Sequence, residues 1–182
     1  MRIVFRQPSQ AHMDDPAGHL PAVDGLLMPH GIVAGLPAVE LFKDRWVCVV
    51  AEDNPEVGTS ITLSQLATLP WAAYQSAHAA SVTQQLSMLG VEPHIQVLTD
   101  SFLLLPPLVA GTRRVAMVHE LLAARLGLGP GSGVRVLECP FDAIPVREAL
   151  WWHPVHTHDA GHIWLRELAG KVAARIGTPH RV

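Results

Sequence analysis

The chain has 182 residues and a mass of 19.7 kDa, enough for one ordinary domain or for two small lobes that share a hinge. Hydrophobic residues make up 49% of it and charged residues 16%, which excludes a disordered chain because ample apolar surface is available to offset the ordering entropy. The formal net charge is −3 and no basic stripe is present, so the chain itself is a poor candidate for DNA binding.

Cysteine content and hydropathy bear on the cellular compartment. Cys48 and Cys139 lie far apart and form no CxxC pattern, which argues against a disulfide framework or a cysteine-based zinc site. The N-terminus alternates charged and apolar residues instead of forming a signal peptide, and the longest apolar runs are too short to span a bilayer. These features predict a cytoplasmic protein with no membrane partner.

The first half of the chain alternates predicted strands with short helices. In chain order we expect strands over 3–5 and 23–28 with at most a brief helix between them, a strand over 39–50, a short helix opening at 62–66, a strand over 71–74 and a helix over 79–89. The run at 39–50 is the strongest signal, because its second half is continuously apolar and β-branched, as in a strand buried on both faces. Thr62 or Ser60 is available as the N-cap of the short helix, and Gly90 is placed to end the helix over 79–89.

The second half continues this alternation. We expect a strand over 95–98, a helix from Ser101 to about 110, a strand over 115–118, a helix over 120–126, strands over 134–137 and 147–152, and a helix over 162–176. Ser101 is the predicted cap of its helix. The last helix is amphipathic, and its apolar face carries Trp164, Leu165, Leu168, Val172 and Ile176. The alternation predicts an α/β fold with mostly parallel sheets.

Histidine is the most conspicuous residue type, and four copies lie close together: His153, His156, His158 and His162. Imidazole is a common zinc ligand, so one hypothesis is a metal-dependent hydrolase built on this cluster. The sequence has no HExxH motif, however, and a polar connection between a strand and the last helix explains the same residues. We therefore expect no metal site.

Enzymatic motifs are otherwise missing from the sequence. It contains no Gly-x-Ser-x-Gly elbow, no P-loop and no dinucleotide glycine fingerprint, and neither cysteine has a context that would activate it. We therefore expect a protein that is not an enzyme and that needs no cofactor.

Two predicted helix starts are better candidates for ligand binding. The segments 76–81 and 99–102 each follow a strand and precede a helix, whose unpaired N–H groups favour a carboxylate or phenolate oxygen. A cleft lined by His78, Ser101 and Phe102 would suit a small aromatic or acidic ligand. The alternative is that Ser101 only caps its helix and Phe102 packs in the core.

Four segments of the chain resemble the effector-binding domain of LysR-type bacterial transcriptional regulators, in particular the branch that responds to aromatic acids and plant flavonoids. The segments are 23–26, 41–49 followed by Asn54-Pro55, 99–102 continuing through 115–118, and the C-terminal signature Trp152-His153-Pro154, Asp159, His162 and Trp164-Leu165-Arg166. The C-terminal signature is the most specific of the four. The others agree in order and spacing over nearly the whole chain.

This resemblance implies an α/β fold of two lobes like that of periplasmic binding proteins, with a small-molecule effector, an aromatic acid or phenol, between the lobes. Residues 1–50 and 150–182 would form lobe one, incomplete at its N-terminal part, and residues 51–149 would form lobe two. The implied ligand contacts are Pro29 and His30 from lobe one, and His78, Ser101 and Phe102 from lobe two. Operator DNA would be bound only through an N-terminal domain absent from this chain. A solute-binding protein of the same fold is a further alternative.

Effector domains of this family commonly pair, so the resemblance also implies a homodimer or tetramer. The expected contact joins the segment 17–28 of one copy to the helix 79–89 of the other, and each patch is used twice in a two-fold dimer. Val82, Leu86 and Leu89 form an apolar stripe on that helix, which could equally face the chain's own sheet.

Overall fold

A computed structural model describes residues 2–9, 12, 14–75 and 81–176. The chain divides into two compact units, one made of Met1–Lys43 and Val146–Val182 and the other of Asp44–Pro145. The strands are β1 Leu26–Pro29, β2 Ala38–Asp44, β3 Trp46–Ala51, β4 Pro70–Tyr74, β5 His94–Thr99, β6 Val115–His119, β7 Val134–Glu138 and β8 Val146–Trp151. The α-helices are α1 Pro16–His19, α2 Leu63–Thr68, α3 Ser81–Met88, α4 Leu105–Val109, α5 Glu120–Arg125 and α6 Ala160–Ile176.

The first unit contains a three-stranded sheet in the order β1–β8–β2, in which β1 and β8 are antiparallel. Its core consists of the buried residues Leu20, Leu26, Val33, Ala149 and Trp151. The indole Nε1 of Trp151 is satisfied inside this core, since it donates to the carbonyl of Met28 at 2.9 Å.

The last helix, α6, buries a different face from the one that its apolar residues predict. Trp164 and Val172 are exposed, whereas His162 and Ala173 are the buried residues of the helix. His162 and Ala173 are eleven residues apart, about three turns, so they share one stripe. The predicted apolar face is therefore wrong at Trp164 and Val172.

The second unit contains a five-stranded mixed sheet in the order β5–β4–β6–β3–β7. β4 is parallel to β5 and β6, but β3 is antiparallel to both of its neighbours, β6 and β7. The expectation of mostly parallel sheets is therefore wrong, because β3 is inserted between β6 and β7 in the opposite direction. One face of the sheet carries a buried apolar cluster that includes Val47, Val49, Leu105, Val109 and Val118.

Several predicted elements differ from the observed ones in instructive ways. Residues 3–5 form no strand, and the run at 39–50 is two strands separated at Arg45. β3 belongs to the second unit, so the boundary lies near residue 44 rather than 50, because the partners of β3 are β6 and β7. The helix predicted from Ser101 is a 3-10 turn, Phe102–Leu104, followed by α4, and the Ser101 side chain makes no capping hydrogen bond. Among the described residues, no helix has both the length and the apolar character needed to cross a membrane.

The short helix α2 illustrates a local signal that the sequence predicts correctly. Thr62 caps it, with the backbone N–H of Gln65 donating to the Thr62 Oγ1 at 3.2 Å, and the Gln65 side chain accepts from the Thr62 N–H at 2.8 Å. This reciprocal pair is a capping box, which satisfies two backbone donors that a helix start otherwise leaves free.

We predict that Thr62→Ala lowers the free energy of unfolding by about 1 kcal/mol, because the backbone N–H of Gln65 loses its acceptor, the Thr62 hydroxyl. Urea denaturation followed by circular dichroism measures this change. Thr62→Ser keeps the hydroxyl and is the matched control, expected to stay within about 0.5 kcal/mol of the parent. Equal destabilisation by the two substitutions would contradict the assigned cap.

Candidate functional site

Four aromatic side chains meet at one end of the five-stranded sheet, and we call them the aromatic cluster: Trp46, Tyr74, Phe102 and His119. Trp46 begins β3 and His119 ends β6, and the two are direct register partners because these strands are antiparallel. Tyr74 ends β4, which is parallel to β6, and Phe102 lies in the turn that follows β5. Strand direction therefore brings together residues that are far apart in the sequence.

The rings of the cluster contact one another closely. Phe102 stacks on Tyr74 with ring centroids 4.1 Å apart and planes inclined by 11°. His119 lies 4.3 Å from Trp46 and 5.1 Å from Phe102 between ring centroids. Such contacts stabilise each ring pair by about 0.5–1.5 kcal/mol beyond the burial of area. The cluster is thus a preformed aromatic surface.

Two polar atoms in this cluster are buried without a protein partner among the described residues: the indole Nε1 of Trp46 and the imidazole Nε2 of His119. Burial lowers the pKa of His119 to about 4, so the ring is neutral near pH 7. A buried N–H that lacks an acceptor costs about 1–3 kcal/mol. A molecule with a hydrogen-bonding group at this position would recover that cost.

The adjacent cavity limits how a ligand could use the cluster. It is lined by Trp46, Tyr74 and Phe102 together with Val82 and Leu86, and its volume is about 40 Å³. That space accommodates water but no aromatic ring. A ring would therefore have to pack against the outer side of the half-buried Phe102 instead of entering the cavity.

A larger cavity, about 420 Å³, lies at the opposite end of the same sheet. Its walls include His94, Gln96, Thr112, Arg113 and Arg114. Arg113 is already paired with Glu56, and none of the four predicted site residues that the structure describes lines this space.

The predicted site residues fall in both units. Ser101 and Phe102 adjoin in the second unit, and the Ser101 backbone N–H donates to Thr99 Oγ1 at 3.2 Å. Pro29 ends β1 in the first unit, and the neighbouring His30 ring lies edge-on to Trp151 with centroids 5.1 Å apart. His78 lies outside the described residues. The assembly of these five into one ligand site stays a prediction.

Sequence reasoning missed three members of the aromatic cluster, namely Trp46, Tyr74 and His119. Each occupies the first or last position of a strand. An aromatic or histidine residue at the end of a predicted strand was therefore the sequence feature that could have indicated them as site residues. The signal is weak without knowledge of strand order, since the same positions in another topology would lie at opposite ends of the sheet.

The histidines near the C-terminus are engaged in structural contacts. His162 is buried, its Nε2–H donates to the carbonyl of Asp24, and its Nδ1 accepts from Arg166 at 2.7 Å. The His156 ring stacks on His162 with centroids 5.3 Å apart, and His153 Nδ1 accepts from the Val155 N–H at 3.2 Å. Both nitrogens of His162 are therefore occupied, and no group of three potential metal ligands occurs among the described residues.

Known proteins similar to this chain share both sequence and fold with it. The model of the LysR substrate binding domain family matches residues 25–174. Nodulation protein D 2 of Rhizobium tropici is 26% identical over 160 residues, which cover 86% of this chain and 50% of that protein. Nodulation protein D 3 of Rhizobium meliloti is 29% identical over 161 residues, covering 86% and 51%. The chain spans about half the length of these curated relatives.

Solved structures give the same result for the fold. The regulatory domain of MexT, a transcriptional activator in Pseudomonas aeruginosa, superposes with a TM-score of 0.68 at 19% identity, covering 87% of this chain and 78% of that one. A variant of the OxyR2 regulatory domain from Vibrio vulnificus superposes with a TM-score of 0.72 at 16% identity, covering 93% and 81%. These likenesses confirm the α/β fold that the sequence predicts.

The burial of His119 generates a prediction about acid stability. Its folded pKa, about 4, is depressed from the ordinary 6.5, so acid protonates the unfolded chain first and stability falls as the pH drops from 6.5 towards 4. Between pH 7 and pH 5 this loss amounts to about 2 kcal/mol. His119→Gln has no titrating group at this position. Its loss of stability between pH 7 and pH 5 is therefore expected to be smaller than that of the parent by about 2 kcal/mol.

Urea denaturation at pH 7 and pH 5 measures this difference, and NMR titration of the His119 ring gives its pKa directly. The matched control is His94→Gln, because His94 is exposed. If the two glutamine variants show the same pH dependence, His119 is not the source of the acid sensitivity.

Proposed function

Since this chain belongs to the LysR substrate-binding domain family, we propose that it is the effector-sensing domain of a transcriptional regulator and that its effector is a small aromatic acid or phenol. The curated relatives are nodulation proteins D and the structural neighbours include regulatory domains. The proposed role is binding and not catalysis. The domain would act through its differential affinity for two conformations, since a ligand can shift an equilibrium by no other means.

The aromatic cluster is the observation that carries this proposal. An aromatic effector would pack on Phe102, whose ring is backed by Tyr74 and His119 and so is held in place. A hydroxyl or carboxylate oxygen of the effector, small enough for the cavity that Trp46 lines, would accept from the buried Trp46 N–H. The neutral His119 Nε2 would accept or donate according to its tautomer. Ser101 offers a hydroxyl beside Phe102.

The remaining site residues are proposed from the family resemblance. Pro29 and His30 would contribute from the first unit, as lobe one, and His78 together with Ser101 would bind the polar group of the effector in lobe two.

The proposal extends to the whole protein in three further respects. Operator DNA would be bound by a separate domain outside this chain, whose own net charge of −3 does not favour phosphate contacts. The compartment would be the cytoplasm, where DNA is present. The assembly would be a homodimer or tetramer.

The dimer contact can be described more closely than the sequence allowed. On α3 the buried residues Val82 and Leu86 are part of this chain's own core, whereas Met88 and Leu89 beyond them are exposed. In the first unit β1 is an edge strand, and Leu27 on it is exposed. Exposed apolar side chains on an edge strand and a helix end are the surface that a two-fold contact would cover.

Calorimetric titration with a panel of benzoates, salicylates and flavonoids tests effector binding, using the longest form of the protein that folds. We expect at least one compound to bind, and Phe102→Ala to weaken it by about tenfold or more, because the stacking surface is lost. Trp46→Phe keeps an aromatic ring but replaces the indole by a smaller phenyl ring without the N–H, so it is expected to weaken most the binding of compounds whose hydrogen-bond acceptor would meet that N–H.

The control for this titration is Phe141→Ala, a half-buried phenylalanine in the loop after β7 and outside the cluster. It is expected to bind as the parent does. An absence of heat with every compound, or equal affinity for the two alanine variants, contradicts the proposed site.

Sedimentation equilibrium at micromolar concentration tests the dimer contact. We predict that Met88→Glu shifts the protein to a single species near 19.7 kDa, because a charge would be buried in an apolar contact. Leu126→Glu is the matched control, since Leu126 is exposed at the end of α5 and lies outside both proposed edges. A monomeric parent chain, unchanged by effector, would mean that the contact needs residues beyond this chain.

A further inference from the structure

The two cysteines of the sequence, Cys48 and Cys139, are neighbours in the second unit. Cys48 lies in the middle of β3, and Cys139 directly follows the end of β7. β3 and β7 are adjacent antiparallel strands, so the tertiary fold brings together two thiols that the sequence keeps far apart. Nothing in the proposed effector site uses either of them.

Strand register places both thiols on the same face of the sheet. Cys48 is the direct partner of Leu137, and Cys139 is two residues further along, on the same side because side chains alternate. The Cys139 Sγ donates to the carbonyl of Trp46 at 3.2 Å, and Trp46 is two residues before Cys48 on β3. The Cys139 side chain therefore lies over β3.

The two thiols differ in exposure and in acidity. Cys48 is fully buried, while Cys139 is half-buried. The influence of each thiol on the other lowers the pKa of Cys139 and, together with burial, raises the pKa of Cys48. Among nearby charges, Arg45 also favours the Cys139 thiolate, whereas Glu138 opposes it. A solvent-accessible thiol that ionises first, beside a second thiol that does not, is the arrangement of a redox-active pair.

We propose that Cys48 and Cys139 form a redox-active pair in which hydrogen peroxide or another two-electron oxidant converts the two thiols into an intramolecular disulfide. The Cys139 thiolate attacks one peroxide oxygen, the O–O bond breaks, and hydroxide leaves as a sulfenic acid forms on Cys139. The Cys48 sulfur then attacks the Cys139 sulfur and displaces the sulfenyl oxygen as water. In total two thiols lose two hydrogens, and one peroxide becomes two waters.

Closure of this disulfide requires a small movement at the end of β7. Diagonal neighbours on antiparallel strands have Cα atoms about 7–8 Å apart, whereas a disulfide holds them about 4.4–6.8 Å apart. Cys139 is outside β7 and precedes Pro140 in a loop, so it is free of the strand's ladder constraint. The movement also gives up the bond from Cys139 to the Trp46 carbonyl, which connects the thiol pair to the aromatic cluster.

The test uses the reduced parent chain, freed of reductant, with hydrogen peroxide and separately with the thiol-specific oxidant diamide. We expect both thiols to be lost together, the intact mass to fall by that of two hydrogen atoms, and peptides containing Cys48 and Cys139 to be joined within a single chain. A thiol reductant should restore both. Diamide avoids interference from oxidation of the five methionines.

Two variants assign the roles. In Cys48→Ala the Cys139 sulfenic acid should accumulate and be trapped by dimedone. In Cys139→Ala the remaining Cys48 thiol should react with the oxidant at least about tenfold more slowly. Three results would overturn the proposal. They are the loss of one thiol only, the formation of disulfides only between two chains, and a parent chain that stays reduced under conditions that oxidise free cysteine. If Cys48→Ala does not fold, the peptide map of the parent still decides whether the pair forms.

Discussion

The second unit depends on one strand, β3, which has neighbours on both edges and is covered on both faces. All six of its residues are buried, and its backbone pairs with β6 on one side and β7 on the other. A strand in this position must be apolar throughout, because a polar side chain would be desolvated without a partner. Trp46 and Cys48 are therefore fixed in position by the same strand, one at its start and one in its middle.

Polar contacts at the start of β3 hold this strand in position against α5 and β7. The carboxylate of the buried Asp44 accepts from the backbone N–H of Arg45 at 2.8 Å and from that of Leu121 in the first turn of α5 at 3.2 Å. Arg45 binds both Glu120 and Glu138, and this contact lowers the pKa of Glu120. Exposed ion pairs of this kind contribute little free energy, but here they fix β3, α5 and β7 at the end where the aromatic cluster lies.

The first unit contains a polar network centred on Arg166. Arg166 stacks on Trp152 with its Cζ 4.6 Å from the ring centroid and donates to His162 at 2.7 Å and to the carbonyl of Thr157 at 2.9 Å. A half-buried guanidinium needs several acceptors and tolerates an aromatic face, which explains why histidine, tryptophan and arginine recur in this segment. Of the four histidines that suggested a metal ligand set, His162 contacts Arg166 through its ring and His156 through its backbone carbonyl.

The sequence by itself determined the elements that depend on neighbours within a few residues. The capping box of α2, the buried character of β3 and the family resemblance were all readable because local patterns and short motifs carry them. Only the tertiary structure decided the direction of β3, the contact of Trp46 with His119 and the placement of Cys48 and Cys139 on adjacent strands. These are set by strand order and register, which arise from burial between segments far apart in the chain and leave no local periodicity to detect.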